Sequence, residues 1–248
     1  MNKNDKNFVE KVKNGILFSN NIDDTIAIQR IYQIYFQVDN EDRDELDKIN
    51  PIINDYYEKH KKKFAKCMLF AAVDEELWST VEQYADTMVE ILDELMKEQQ
   101  CSFTDIRIAG KGFFNNVYSI GEKILKVGSP RASYSVPNHP RLLQPFIREN
   151  FTDKNGNPVI CIEIAEKVLK VNPEDFDPKI LYKIYKELRE AGILWADARV
   201  QNIGILKREN LPTYNGESFI NDQNFVGMRG KINSQDILQE RRMCGFRY

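Results

Sequence analysis

A change of texture at Cys101 constrains this chain more than any single motif. No glycine or proline interrupts residues 75–100, whereas Gly110, Gly112, Gly121, Pro130, Pro137 and Pro140 punctuate the stretch that follows. Before Cys101 apolar residues recur at helical spacing. After it they alternate or come in short runs. A chain that lays down its helices first and its strands second keeps the two kinds of structure apart, which is the mark of the α+β class.

In the first part, Ile22, Ile26, Ile28, Ile31, Tyr32, Ile34, Tyr35 and Phe36 predict a helix over 21–37 with a broad apolar face. Asn50-Pro51 predicts the next helix start, with Asn50 as cap and Pro51 in the first turn. Ile52, Ile53, Tyr56, Tyr57, Phe64, Cys67, Met68 and Ala71 continue one face from there. Asp74 is the predicted cap of a third helix, which presents Trp78, Val81, Ala85, Met88, Leu92 and Leu95.

The densest basic run, residues 59–63 with Lys66, reads at this spacing as a solvated helix face. A net charge of −3 gives no general nucleic-acid or membrane surface. No apolar stretch is long enough to span a bilayer, and Met-Asn-Lys-Asn-Asp-Lys leads into charged, helix-like sequence rather than a signal-peptide core. The expected location is cytoplasmic. Cys67, Cys101, Cys161 and Cys244 are scattered without a C-x-x-C pair and read as reduced thiols. With His60 and His139 as the only histidines, a histidine-rich metal centre or a Ser-His-Asp triad has little to draw on.

Strands are predicted at 106–108, 117–120, 123–127, 142–147 and 158–168. Gly121-Glu122 joins the second and third into a hairpin, and the turn-rich segment 153–157 joins the last two. Asp177-Pro178 opens a helix with Ile180, Leu181, Ile184 and Leu188 on one face, stopped by Gly192. The sequence from Lys207 is turn-rich. The expected organisation is a helical region 1–100, a strand-rich part 101–170 and a third part 171–248.

Two segments carry the candidate chemistry. The first is Gly110-Lys111-Gly112-Phe113-Phe114-Asn115-Asn116-Val117, followed by Lys126 inside an apolar run. Glycines in a turn between strands let backbone N–H groups approach a phosphate with no side chain in the way. The second is Trp195-Ala-Asp197-Ala-Arg-Val-Gln-Asn202, which lies after the helix that Gly192 stops and before the apolar run 203–206. An aspartate and an asparagine at that spacing, between a helix and a strand, can orient a hydroxyl and hold a metal ion on nucleotide phosphates. The local alternatives are an ordinary hairpin turn for the glycines and an Asx turn for Asp197 and Asn202.

Taken in this order, the two segments resemble the protein-kinase-like superfamily over about residues 104–206. The resemblance implies a helical N-terminal region followed by a kinase-like module, with a five-stranded antiparallel N-lobe and a reduced or truncated helical C-lobe. It further implies ATP and Mg2+ as cofactors and transfer of the γ-phosphate to a hydroxyl on a protein or small molecule. Gly110, Lys111, Gly112, Phe114, Asn115 and Val117 would then cover the nucleotide, with Asn115 standing where kinases have a third glycine. Lys126 would contact the phosphates, the backbone from Glu163 to Val168, Glu166 included, would meet adenine, Asp197 would be the base and Asn202 the metal ligand.

The chain departs from the family in several places. Trp195-Ala196 stands where many kinases have His-Arg, so control by activation-loop phosphorylation is not expected. Proline-rich sequence follows Lys126 where kinases carry the helix with the lysine's glutamate partner; the third helix, through Glu82, Glu90 or Glu94, is the expected substitute. No Asp-Phe-Gly follows Asn202, and Asp222 and Asp236 do not follow a strand-like run. The last ten residues have the texture of neither strand nor helix. Permitted codons read one nucleotide on can spell Lys-Lys-Gly-Glu-Cys-Val-Val-Leu-Asp, so a frameshift is one expectation. The alternatives to an active kinase are a nucleotide-binding pseudokinase scaffold and a non-catalytic helical interaction module.

Overall fold

The structure, a computed structural model, describes residues 3–15, 24–37, 43–111, 115–128, 130, 138–174, 176–195, 198–206, 213–214, 217–218, 225–227 and 232–233. It has an α+β architecture with helical and antiparallel-sheet regions. The chain forms two compact units, Met1–Pro130 with Arg148–Ile164 and Arg131–Ile147 with Ala165–Tyr248. No described helix is long and apolar enough to cross a membrane.

In the first unit, helices α1 (Lys3–Lys13), α2 (Asp24–Gln37), α3 (Arg43–Asp47), α4 (Asn50–Phe70), α5 (Trp78–Val81) and α6 (Ala85–Glu98) pack against a sheet. Its strands are β1 (Arg107–Lys111), β2 (Asn115–Ile120), β3 (Lys123–Gly128), β4 (Pro145–Thr152) and β5 (Pro158–Glu166), in the order β1-β2-β3-β5-β4. The predicted hairpin is present: β2 and β3 are antiparallel, Ile120 opposes Lys123, and Gly121 turns the chain at φ 56°.

The alternation of side chains along each strand sorts the two faces of this sheet. Tyr118 and Ile120 of β2, Leu125 and Val127 of β3, and Ile160, Ile162 and Ile164 of β5 enter the core shared with the helices. Val117, Ser119, Ile124, Lys126, Cys161 and Glu163 therefore lie on the opposite face. An aromatic hub ties the helices to their side. Phe103 stacks on Tyr57 at 4.3 Å between ring centroids and meets Phe64 at 4.7 Å and Phe36 at 5.4 Å. Tyr84 stacks on Phe151 at 4.2 Å and donates its hydroxyl to the Thr152 carbonyl at 2.5 Å. Each such ring taken from water contributes about 1.5–3 kcal/mol.

Several local expectations are corrected. The predicted third helix is broken into 3-10 turns at Glu75–Leu77 and Glu82–Tyr84 around α5, ahead of α6. Neither Asn50 nor Asp74 makes a side-chain cap; Ile49 precedes α4, and Asn50 Nδ2 donates to Asp47 Oδ1 instead. The fourth strand starts at Pro145 rather than Leu142, because Leu142 is drawn into the core of the second unit. The basic run on α4 is matched by carboxylates: Lys61 pairs with Asp93 at 2.9 Å, Lys62 with Asp86 at 2.7 Å, and Lys66 with Glu82.

The second unit is built on β6 (Val168–Lys170), α7 (Pro178–Glu190), β7 (Leu194–Trp195) and β8 (Ile203–Leu206). The short strands β9 (Thr213–Tyr214), β10 (Glu217–Ser218), β11 (Phe225–Gly227) and β12 (Ile232–Asn233) follow. As predicted, Asp177 caps α7 by accepting from the Lys179 N–H at 2.9 Å, and Gly192 ends the turn at φ 75°. The core gathers Leu142, Phe176, Ile184, Leu188, Ile193, Trp195 and Ile203. Strands β6 and β11 flank β8 antiparallel, β12 pairs with β7, and β10 pairs with β9.

Candidate functional site

The described ends of the glycine-bearing segment lie on two paired antiparallel strands. Gly110 and Lys111 end β1, opposite Val117 and Asn116 of β2, with a register irregularity between Ile108 and Gly110. Gly112 and Phe114 lie outside the described residues. Asn115 opens β2 across from Gly128, and Val117 stands directly across from Lys126. Of the two consecutive asparagines, Asn116 has a structural task missed in the sequence. It is buried, and its Nδ2 donates to the Ala71 carbonyl just past α4, at 2.8 Å. That bond ties the hairpin to the helical layer.

The lysine's partner is not the expected one. Lys126 Nζ lies 3.7 Å from Glu163 Oε2. Glu82 is engaged with Lys66, and Glu90 and Glu94 are exposed on α6. The reason is parity. Met88, Leu92 and Leu95 of α6 pack in the core that receives Leu125 and Val127, so Lys126 between them faces away from that helix. A carboxylate on the lysine's own side of the sheet had to supply the pair, and β5, the neighbour of β3, brings Glu163 there. Arg148 of β4, the next strand out, holds the same carboxylate: its Nε donates to Glu163 Oε1 at 2.6 Å and its Nη2 reaches that oxygen too. Glu163 has 9% of its surface exposed, so its charge is largely out of water and depends on these two cations.

In the second unit, Asn202 is buried at the end of the 3-10 turn Val200–Asn202, its N–H donating to the Arg199 carbonyl at 2.9 Å, and β8 begins at the next residue. Asp197 lies outside the described residues, as do Asp222 and Asp236. Trp195 is a core residue. Its ring lies against Gly227, where an added Cβ would come within 3.1 Å of it, so a larger residue on β11 would crowd the tryptophan. Glu166 ends β5, and Val168 opens β6 opposite Leu206.

Sequence reasoning also missed Arg141, buried in this unit, whose guanidinium grips Glu187 of α7 at 2.5 and 3.1 Å. The Arg141 carbonyl accepts from the Gly227 N–H at 2.8 Å. Nothing local signals such a residue, because its partner lies on a helix distant in sequence.

Among the described residues no three His, Cys, Asp or Glu side chains gather to hold a metal ion. Magnesium on a nucleotide needs no such cage, since one or two protein ligands and the phosphates themselves complete its shell. The side-chain amide oxygen of Asn202 has the chemistry of one such ligand. No protein-family model and no characterised protein sequence matches the chain.

Proposed function

We propose that this chain is a kinase-like protein that binds Mg-ATP and transfers the γ-phosphate to a hydroxyl on a protein or small-molecule acceptor. One observation carries the proposal. Lys126 stands across from Val117 on the sheet face turned away from the helices, ion-paired to a largely buried carboxylate, and Val117 in turn pairs with Gly110 of β1. An ammonium held in this way is an electrophilic contact for phosphate oxygens. In the proposed assignment Gly110, Lys111, Gly112, Phe114, Asn115 and Val117 cover the nucleotide. The backbone at Glu166 and Val168 meets adenine. Asp197 orients or deprotonates the acceptor hydroxyl, and Asn202 is the protein's amide ligand to magnesium. The bound metal supplies neutralising charge for the phosphates.

A second reading, nucleotide binding without transfer, is favoured by one feature. The family uses a further carboxylate after the asparagine to hold magnesium between the phosphates. Here the chain between β11 and β12 reads Met228-Arg229-Gly230-Lys231, with no acidic residue. Two measurements separate the readings. Mg-ATP at about 100 times its Kd should raise stability by about 2.7 kcal/mol in a thermal-shift assay, and Lys126→Ala should remove the gain. Absence of any shift in the unaltered chain refutes both readings and leaves a helical interaction module. Transfer of labelled γ-phosphate that disappears in Asp197→Ala supports the enzyme; binding without transfer supports the pseudokinase.

A further inference from the structure

We infer that Glu163, fixed by Arg148, is the positioning residue for Lys126, taking on strand β5 the task that kinases give to a glutamate on a helix; this rests on the proposed role of Lys126 as a phosphate contact. Three adjacent strands build the cluster. Lys126 comes from β3, Glu163 from β5 and Arg148 from β4, all on the face opposite the helical core. Neighbouring strands lie about 5 Å apart, so side chains standing on the same face of three of them meet without any helix.

The contacts divide the carboxylate's labour. Oε1 takes the guanidinium of Arg148, and Oε2 faces the ammonium of Lys126 at 3.7 Å. A planar guanidinium with two N–H groups on one oxygen fixes the orientation of the carboxyl group more firmly than a point charge could. The rigid strand beneath it then sets where the lysine's counter-charge lies. A sheet-borne pair of this kind has no helix to swing, so the lysine's alignment depends on sheet geometry alone.

The test compares ATP with adenosine, both measured by titration calorimetry on the full chain. If Glu163 aligns Lys126 toward phosphates, Glu163→Gln weakens ATP binding about tenfold. The same substitution leaves adenosine affinity within about twofold, because adenosine carries no phosphate for the lysine to meet. In a Lys126→Met background Glu163→Gln then has no further effect on ATP. Glu163→Gln leaves two neighbouring cations without their carboxylate, which can impair folding. Glu163→Gln with Arg148→Gln keeps the cluster's net charge and is expected to weaken ATP just as much.

Equal loss for ATP and adenosine overturns the inference in favour of a merely structural ion cluster. So do additive effects of Lys126→Met and Glu163→Gln, or ATP binding that needs Lys126 but survives both glutamate variants. If the unaltered chain binds no ATP, the nucleotide proposal itself falls and takes this assignment with it.

Discussion

Gly121 offers the sharpest test of how the helical layer and the hairpin bearing Lys126 are joined. It turns β2 into β3 at φ 56°, and a Cβ placed there would lie 2.7 Å from Gln99 Oε1 and 2.8 Å from Gln99 Cβ. Gln99 directly follows α6, and its Oε1 accepts from the Glu122 N–H at 2.9 Å. Two costs therefore fall on Gly121→Ala. An L-residue in the left-handed region costs about 1–2 kcal/mol. Forcing a methyl against an occupied position costs a further ~1–3 kcal/mol. The stiffer unfolded chain returns less than about 1 kcal/mol, so the expected loss is about 2–4 kcal/mol. The two costs separate by mutation. Gln99→Ala keeps the Cβ that the new methyl strikes, so Gly121→Ala should remain nearly as damaging in that background. Gln99→Gly removes it, and only the backbone cost of about 1–2 kcal/mol should remain. Urea unfolding with unchanged m-values reads all of these quantities. A Gly121→Ala cost below about 1 kcal/mol, or one that Gln99→Gly leaves untouched, refutes the geometry from which they were worked.

Two further outcomes are expected. Arg141→Leu should destabilise the second unit by about 2–3 kcal/mol, and Glu187→Leu in addition should recover part of that, because removing one partner strands the other's charge. Fluorescence of Trp195 in a Trp78→Phe background follows the unit during urea unfolding, and a cost under ~0.5 kcal/mol would mark the pair as idle. The first unit should lose stability in alkali: burial pushes the Cys67 thiol up to about 11 and the Tyr32 hydroxyl up to about 12. The folded chain holds these protons more tightly than the unfolded one, whose thiol releases its own near pH ~8.5. Stability should thus be level below about pH 8.5, fall progressively toward pH 11, and fall less steeply in Cys67→Ala, as urea titrations across that range can check.

How far the fold could be read in advance differs from element to element. Helix α7 was legible at both ends because Asp177 caps it and Gly192 stops it, both through contacts a few residues long. The hairpin of β2 and β3 was legible for the same reason, since one glycine sets its turn. The start of β4 was not, because Leu142 fits a strand by hydropathy yet serves a different core. The uninterrupted helix over 75–100 failed too, since the absence of glycine and proline permits a helix without enforcing one. At the candidate site, Lys126, its strand and its place across from Val117 were all within reach of the sequence. Its glutamate was not, although Leu125 and Val127 on either side already implied that the lysine turns its back on their core.

The amino-acid sequence alone determined the α+β class, the separation of helices from strands, and the candidate lysine, aspartate and asparagine, because periodicity, caps and turns act over a few residues. Only the tertiary structure decided that Glu163 meets both Lys126 and Arg148, that Arg141 grips Glu187, and that Trp195 packs against Gly227. Ion pairs and van der Waals contacts depend on distances of a few ångströms. The order β1-β2-β3-β5-β4 and the packing of α7 set those distances for residues that the chain itself keeps far apart.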